Sequence, residues 1–131
     1  MGFLTRDQIL QVQDIVTEDV PVPEWGGTVR VRGLSGHERD AFEAGIVQPS
    51  GRTIRYTLEN LRARLVALSV VDESGARLFS AADVVALGRK SAAALERVYN
   101  VAQRLAGLSN QDVEELAKNS ESGPSDDSGS A

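Results

Sequence analysis

Apolar residues in this chain follow two rhythms. Leu58, Leu61, Leu65 and Leu68 are spaced three, four and three apart, and Leu95, Val98, Ala102 and Leu105 repeat that spacing. Each set predicts an amphipathic helix with one apolar stripe. Thr57 is placed to cap the first helix; Ser91 opens the second and Gly107 ends it near Ala106. Between Val20 and Val31 the period drops to two. Val20, Val22, Val29 and Val31 alternate with polar residues or prolines around Trp25-Gly26-Gly27, which predicts a hairpin with a Gly-rich turn. Pro21 and Pro23 cannot donate ladder hydrogen bonds, so the first strand is expected at an edge.

Shorter elements fill the gaps. Thr5 can cap a helix over Arg6–Gln13, to which Ile9, Leu10 and Val12 give a weak apolar face. Ser35-Gly36-His37-Glu38 has capping-box spacing and predicts a helix over 36–47 with Phe42 and Ile46 on one face. Gln48-Pro49-Ser50-Gly51 reads as a loop. Val70-Val71 is extended, Asp72-Glu73-Ser74-Gly75 is turn chemistry, and Arg77-Leu78-Phe79 can pair back. Ser80-Ala81-Ala82-Asp83 opens a short helix carrying Val84, Val85 and Leu87 and ended by Gly88. Asp83 in its first turn suits the helix dipole. Ser109 and Asp112 start a last helix through Val113 and Leu116. The sum is a mainly helical α+β fold: two longer amphipathic helices, several short ones and small β-hairpins.

From Asn119 onward the sequence offers nothing to bury, so burial cannot offset the entropy of ordering it. The organisation expected is one globular domain over 1–118 and a disordered acidic, Ser/Gly-rich tail over 119–131. The chain has 131 residues and a net charge of −5. Glu121, Asp126 and Asp127 place three of those charges in the tail, leaving the body near balance.

Composition removes several kinds of chemistry. With no Cys there is no disulfide framework, thiolate metal site or cysteine nucleophile, and one His rules out paired-histidine metal motifs. No apolar run approaches the roughly 20 residues that span a bilayer. The first residues lack a basic region leading into an apolar one, so no secretory signal is expected.

Two local patterns invite a functional reading. Gly33-Leu34-Ser35-Gly36-His37 resembles a nucleophile elbow, but its second glycine is one position early, so Ser35 is read as a cap and His37 as a solvated residue. Asp83–Leu87, Gly88-Arg89-Lys90 and Ser91–Leu105 have a helix-turn-helix outline. Yet the second helix would offer Ser91-Ala92-Ala93-Ala94 to base edges, and the chain is acidic.

One local excess of charge remains. Arg52, Arg55, Arg62 and Arg64 are opposed only by Glu59, which reads either as a solvated face paired with acids elsewhere or as a docking patch for an acidic partner. Trp25 likewise reads as a residue that closes the hairpin onto the core or as an anchor for a partner.

Three stretches carry a family likeness: Val31-Arg32-Gly33-Leu34-Ser35-Gly36-His37-Glu38-Arg39-Asp40-Ala41-Phe42-Glu43; Leu61–Ala67 running into Val71–Phe79; and Leu87–Arg97, followed by Leu108-Ser109 and Asp112–Leu116. In order and spacing the chain resembles the tail assembly chaperones of long-tailed bacteriophages. The resemblance implies a non-enzymatic protein without cofactors or metals. It would bind the tape measure protein, keep it soluble and help recruit tail tube subunits, the last through a longer form made by programmed frameshifting. It would work in the host bacterial cytoplasm, be absent from the mature virion, and bind neither nucleic acid nor membrane; self-association is compatible with the role. A client surface is then expected on the outer parts of the two longer helices: Leu61, Arg62, Arg64, Leu65, Arg97 and Arg104, with Trp25. A small DNA-binding regulator and a head–tail connector subunit are the competing classes.

Overall fold

A computed structural model describes residues 2–50, 53–56, 59–108, 111–112 and 115. Element order follows the pattern closely. Helix α1 (Arg6–Gln11) precedes a hairpin of strands β1 (Thr17–Val22) and β2 (Gly27–Arg32). Helix α2 (Gly36–Ile46) leads into β3 (Val47–Ser50) and β4 (Thr53–Tyr56). Helix α3 (Leu61–Ser69) runs into β5 (Val70–Val71), and α4 (Val84–Leu87) precedes α5 (Ala92–Leu105). The fold is mainly helical α+β, as expected.

The sheet order β1-β2-β5 puts β1 at the edge. Register explains why Pro21 is tolerated. The Gly33 amide donates to the Val16 carbonyl at 2.9 Å, and Val20 lies opposite Val29. Alternation along the ladder then turns the backbone of Pro21 away from β2, where a missing donor costs no ladder bond. Pro23–Trp25 form one 3-10 turn, and Gly26, at φ 79°, adopts the left-handed conformation that closes it.

Helix α5 lies between the hairpin and α3, and α3 also packs on α4 and α2. Leu95, Val98 and Ala102 are buried, and Leu105 is half-buried at the end of the stripe. Ser91 accepts a hydrogen bond from the Ala94 amide, and Gly107, at φ 75°, ends the helix with Leu108 N–H on the Gln103 carbonyl. The Ser35–Glu38 capping box forms in both directions, at 3.1 and 2.8 Å. Phe42 and Ile46 are buried below it.

Three expectations are corrected. Residues 48–50 are not loop: they belong to β3, whose register with β4 sets Gln48 opposite Arg55 and Ser50 opposite Thr53. Pro49 read as a loop signal, but two-stranded pairing leaves one side of each strand free of ladder bonds. Helix α3 begins at Leu61 behind Asn60, which sits at φ 58°; Thr57 and Leu58 lie outside the described residues. Leu61 and Leu65 of the stripe are core, and burial reaches beyond them to Ala63, Val66, Ala67 and Ser69. Ala63, Ala67 and Ser69 are small enough for neighbours to pack on the sides the leucines leave. The helix expected over 6–13 ends at Gln11 and buries nothing. Residues 119–131 and the helix expected through Leu116 fall outside the described residues, apart from Gln111, Asp112 and Glu115.

Candidate functional site

The arginines of the expected docking face are held by the chain's own acceptors. On α5, Arg97 and Arg104 are seven residues apart, so they share a side, and that side faces the hairpin. Arg97 makes a two-pronged bond to Glu24 at 2.6 and 2.9 Å, and Arg104 binds Glu18 at 2.9 Å. Arg62 pairs with Glu96 at 3.3 Å and stacks 5.4 Å from the Tyr99 ring centre. Arg64 donates to the carbonyls of Glu59 and Gly45, both at 3.2 Å. Leu61 and Leu65 are in the core. The seven residues therefore do not converge on one open patch. Arg62 lies between α3 and α5, Arg97 and Arg104 lie over the hairpin, and Arg64 reaches toward the end of α2.

Trp25 is half-buried and packs against the core. It borders an open groove of about 620 Å³ lined also by Leu78, Phe79, Ala86 and Leu87 and by the charged Glu24, Asp83 and Lys90. Its indole Nε1 is buried without a hydrogen-bond partner among the described residues.

Glu38 gathers three donors. Arg32 binds it at 2.9 Å and Arg77 at 2.9 Å, while the Ser35 amide donates to it at 2.8 Å. Burial pushes this carboxyl up, but the Ser35 amide and the two guanidinium groups outweigh that and hold it at about 2. The Arg97 bond holds Glu24 at about 2 as well. Arg30 keeps Asp19 low in the same way. Burial raises the Tyr99 phenol. Each such centre ties one element to another, and no free acid stands beside a free base in them.

The chemistry weighed on sequence resolves locally. Ser35 is engaged in the cap and His37 is exposed. Asp72 closes its own turn, taking the Ser74 amide at 2.8 Å and the Ala76 amide at 3.1 Å. No group of three His, Asp or Glu side chains able to hold a metal occurs among the described residues. In the helix-turn-helix outline the first helix is a single turn, α4. No described helix is long and apolar enough to cross a membrane.

What the sequence reading passed over is the segment before β1. Phe3, Leu4, Ile9, Leu10, Val12 and Val16 are all exposed, Leu10 at 66% and Phe3 fully. Among the described residues most other large apolar side chains are covered, Leu78 and Val85 being exceptions, so the exposed ones concentrate in this segment. The signal was present as the weak face of Ile9, Leu10 and Val12, but a stripe cannot say whether anything covers it.

Among the described residues this is a small, mainly helical α+β domain with a packed core, arginine–carboxylate pairs between its elements and an uncovered apolar arm before β1. Comparison with protein families gives the particular kind. The family model for the phage tail assembly chaperone matches residues 6–119, and the chain belongs to that family. No curated protein and no solved structure matches it.

Proposed function

We propose that this chaperone binds the tape measure protein, holds it soluble before the tail is built and helps gather tail tube subunits around it. The observation that carries the reading, within the family, is the uncovered apolar segment 3–16 on a body whose core is otherwise closed. A long apolar helical client needs a surface of that character, and covering it requires neither a reactive centre nor a nucleotide. The net charge of −5 opposes co-aggregation of the complex. Many copies along one client would turn weak contacts into firm holding. On this reading Arg62, Arg64, Arg97, Arg104 and Trp25, with Leu61 and Leu65 beneath them, hold the body together. Contact with the client falls to the apolar surface.

The setting is the host cytoplasm, and the protein leaves before the virion matures. A longer form, made by frameshifting near Lys118-Asn119, carries the contact to the tube protein. Co-expression with the neighbouring long helical gene product, followed by pull-down, tests the central step: the two should co-purify and the client should stay soluble. An insoluble client in the presence of abundant chaperone would refute it. A gene without a shift-prone heptamer near these codons would remove the longer form. Stoichiometric recovery of the protein from purified virions would remove the assembly role.

A further inference from the structure

Most of the body's arginines are already bound. Arg30, Arg32, Arg62, Arg77, Arg97 and Arg104 each hold a carboxylate, and Arg64 holds two carbonyls. Two neighbours differ. The side chains of Arg89 and Lys90 have no hydrogen-bond or ion-pair partner among the described residues. They form the turn between α4 and α5, where their amides donate to the Ala86 and Leu87 carbonyls at 3.1 Å. Lys90 also lines the groove of about 620 Å³ beside Trp25. We propose that this groove is a docking surface of its own, and that its occupant is a segment of another protein carrying a bulky apolar side chain with a carboxylate beside it. No residue of segment 3–16 lines the groove, so the proposal goes beyond the client reading.

The apolar half of the occupant follows from the lining. Trp25, Leu78, Phe79 and Leu87 make the groove mainly apolar, and its volume is within the range of about 300–1,000 Å³ usual for sites that enclose a ligand group. Outside segment 3–16, the large apolar side chains left exposed among the described residues are Leu78, at 52%, and Val85, at 55%. Leu78 lines this groove, and Val85 directly precedes Ala86 and Leu87 of its wall. The indole N–H of Trp25 is buried without an acceptor among the described residues. A partner that draws the ring toward its own carbonyl or carboxylate supplies that missing bond.

The carboxylate follows from charge. Of the three charged residues in the lining, Glu24 is taken by Arg97 at 2.6 Å and Asp83 by the Ser80 amide at 2.8 Å. That leaves the Lys90 ammonium unspent, with Arg89 next to it. A carboxylate approaching the bound arginines must displace an acceptor; here it gains a partner at no such cost. A second copy suits the groove less. It would offer Asp14 with Ile15 and Val16, but the Gly33 amide holds Val16 at the root of β1, at 2.9 Å. The chain's own residues 119–131 suit it less as well. They carry Glu121, Asp126 and Asp127 but no bulky apolar side chain to fill the groove.

Trp25 is the chain's one tryptophan, so its fluorescence and its indole N–H resonance report on this groove. The test titrates full-length protein with a blocked Asp-Phe-Asp-Phe-Asp peptide and with two controls, Asn replacing Asp and Ala replacing Phe. The first peptide should shift the Trp25 signals and saturate. Lys90→Glu and Leu78→Ser alter exposed side chains, so both variants should keep the wild-type circular dichroism and melting temperature. Each control peptide and each variant should weaken binding by about fivefold or more. No saturable shift at millimolar peptide, equal binding of the Asn peptide, or unchanged affinity in either folded variant overturns the proposal. A photo-crosslinker at position 78 that captures the chain's own residues 113–131 without peptide means the protein fills its own groove. Trp25 signals that move with protein concentration alone mean that a second copy does. Either result overturns the proposal too. The readout uses no client, so its failure leaves the client reading standing.

Discussion

Arg97 and Glu24 are 73 positions apart and meet at 2.6 Å, joining the middle of α5 to the turn of the hairpin. With Arg104 and Glu18 at 2.9 Å they form two clasps along one helix face. The clasps set how α5 lies on the sheet, and so where Leu105 stands beside the root of the arm. Charge order is thus part of the architecture here. A Glu24→Arg change should lower the melting temperature, and adding Arg97→Glu should restore part of the loss. Because both groups are accessible to solvent, the difference should shrink in 1 M salt. Equal melting temperatures for all three proteins at low salt would show that the clasp adds nothing.

Glu38 and Glu24 make stability depend on acid. Both carboxyls are held at about 2, below the ordinary 4.5. A depressed folded-state value means the folded protein resists proton uptake. The stabilisation is fully present above about pH 4.5, and it is lost as pH falls from there toward 2. Melting curves between pH 2 and 7 should be flat at the upper end and fall through that window. A Glu38→Gln variant should melt lower at pH 7, by about 1–3 kcal/mol of stability, and should show a shallower acid limb. An unchanged limb would place the acid sensitivity elsewhere.

Gly33 and Gly36 separate close packing from local preference. A Cβ on Gly33 would lie 2.9 Å from the Leu105 carbonyl oxygen, while one on Gly36 would meet nothing within 4 Å. Gly33→Ala should therefore cost about 1–3 kcal/mol in denaturant unfolding, as the end of α5 moves off β2. Gly36→Ala, in the first turn of α2, should be neutral or gain a few tenths of a kcal/mol. Equal effects would contradict the close approach.

Leu65 and Leu10 test which apolar residues belong to the core. Leu65 is fully buried and Leu10 is 66% exposed. Leu65→Ala should cost about 2–5 kcal/mol and Leu10→Ala less than about 0.5 kcal/mol in the free protein. A large loss at position 10 would mean that the arm packs on the body.

Arg62 lies between the docking and structural roles. Arg62→Glu breaks the Glu96 pair and the contact over Tyr99, so the free protein should melt lower. Client solubility on co-expression should be unchanged once the variant is folded. Loss of the client from a fully folded variant would return the arginine face to the client surface.

Much of the fold was legible because its rules are local. Hydroxyl caps at Thr5, Ser35 and Ser91, prolines on β1 and the leucine spacing of α5 each act within a few residues, and each formed where the pattern placed it. The strand over 47–50 was missed because pairing is settled by residues 53–56, whose partner role no local rule announces. That burial on α3 extends beyond its leucine stripe was not legible, because it depends on three neighbouring helices.

By itself, then, the sequence determined most element types, the caps of α1, α2 and α5, the absence of thiol chemistry and the family likeness, all of which follow from the order of side chains along the backbone. Tertiary structure alone decided which arginines were already paired and which apolar residues were left uncovered. Arg104 meets Glu18 across 86 positions, and Leu10 is left exposed. Both outcomes depend on distances in space, which separation along the chain does not encode.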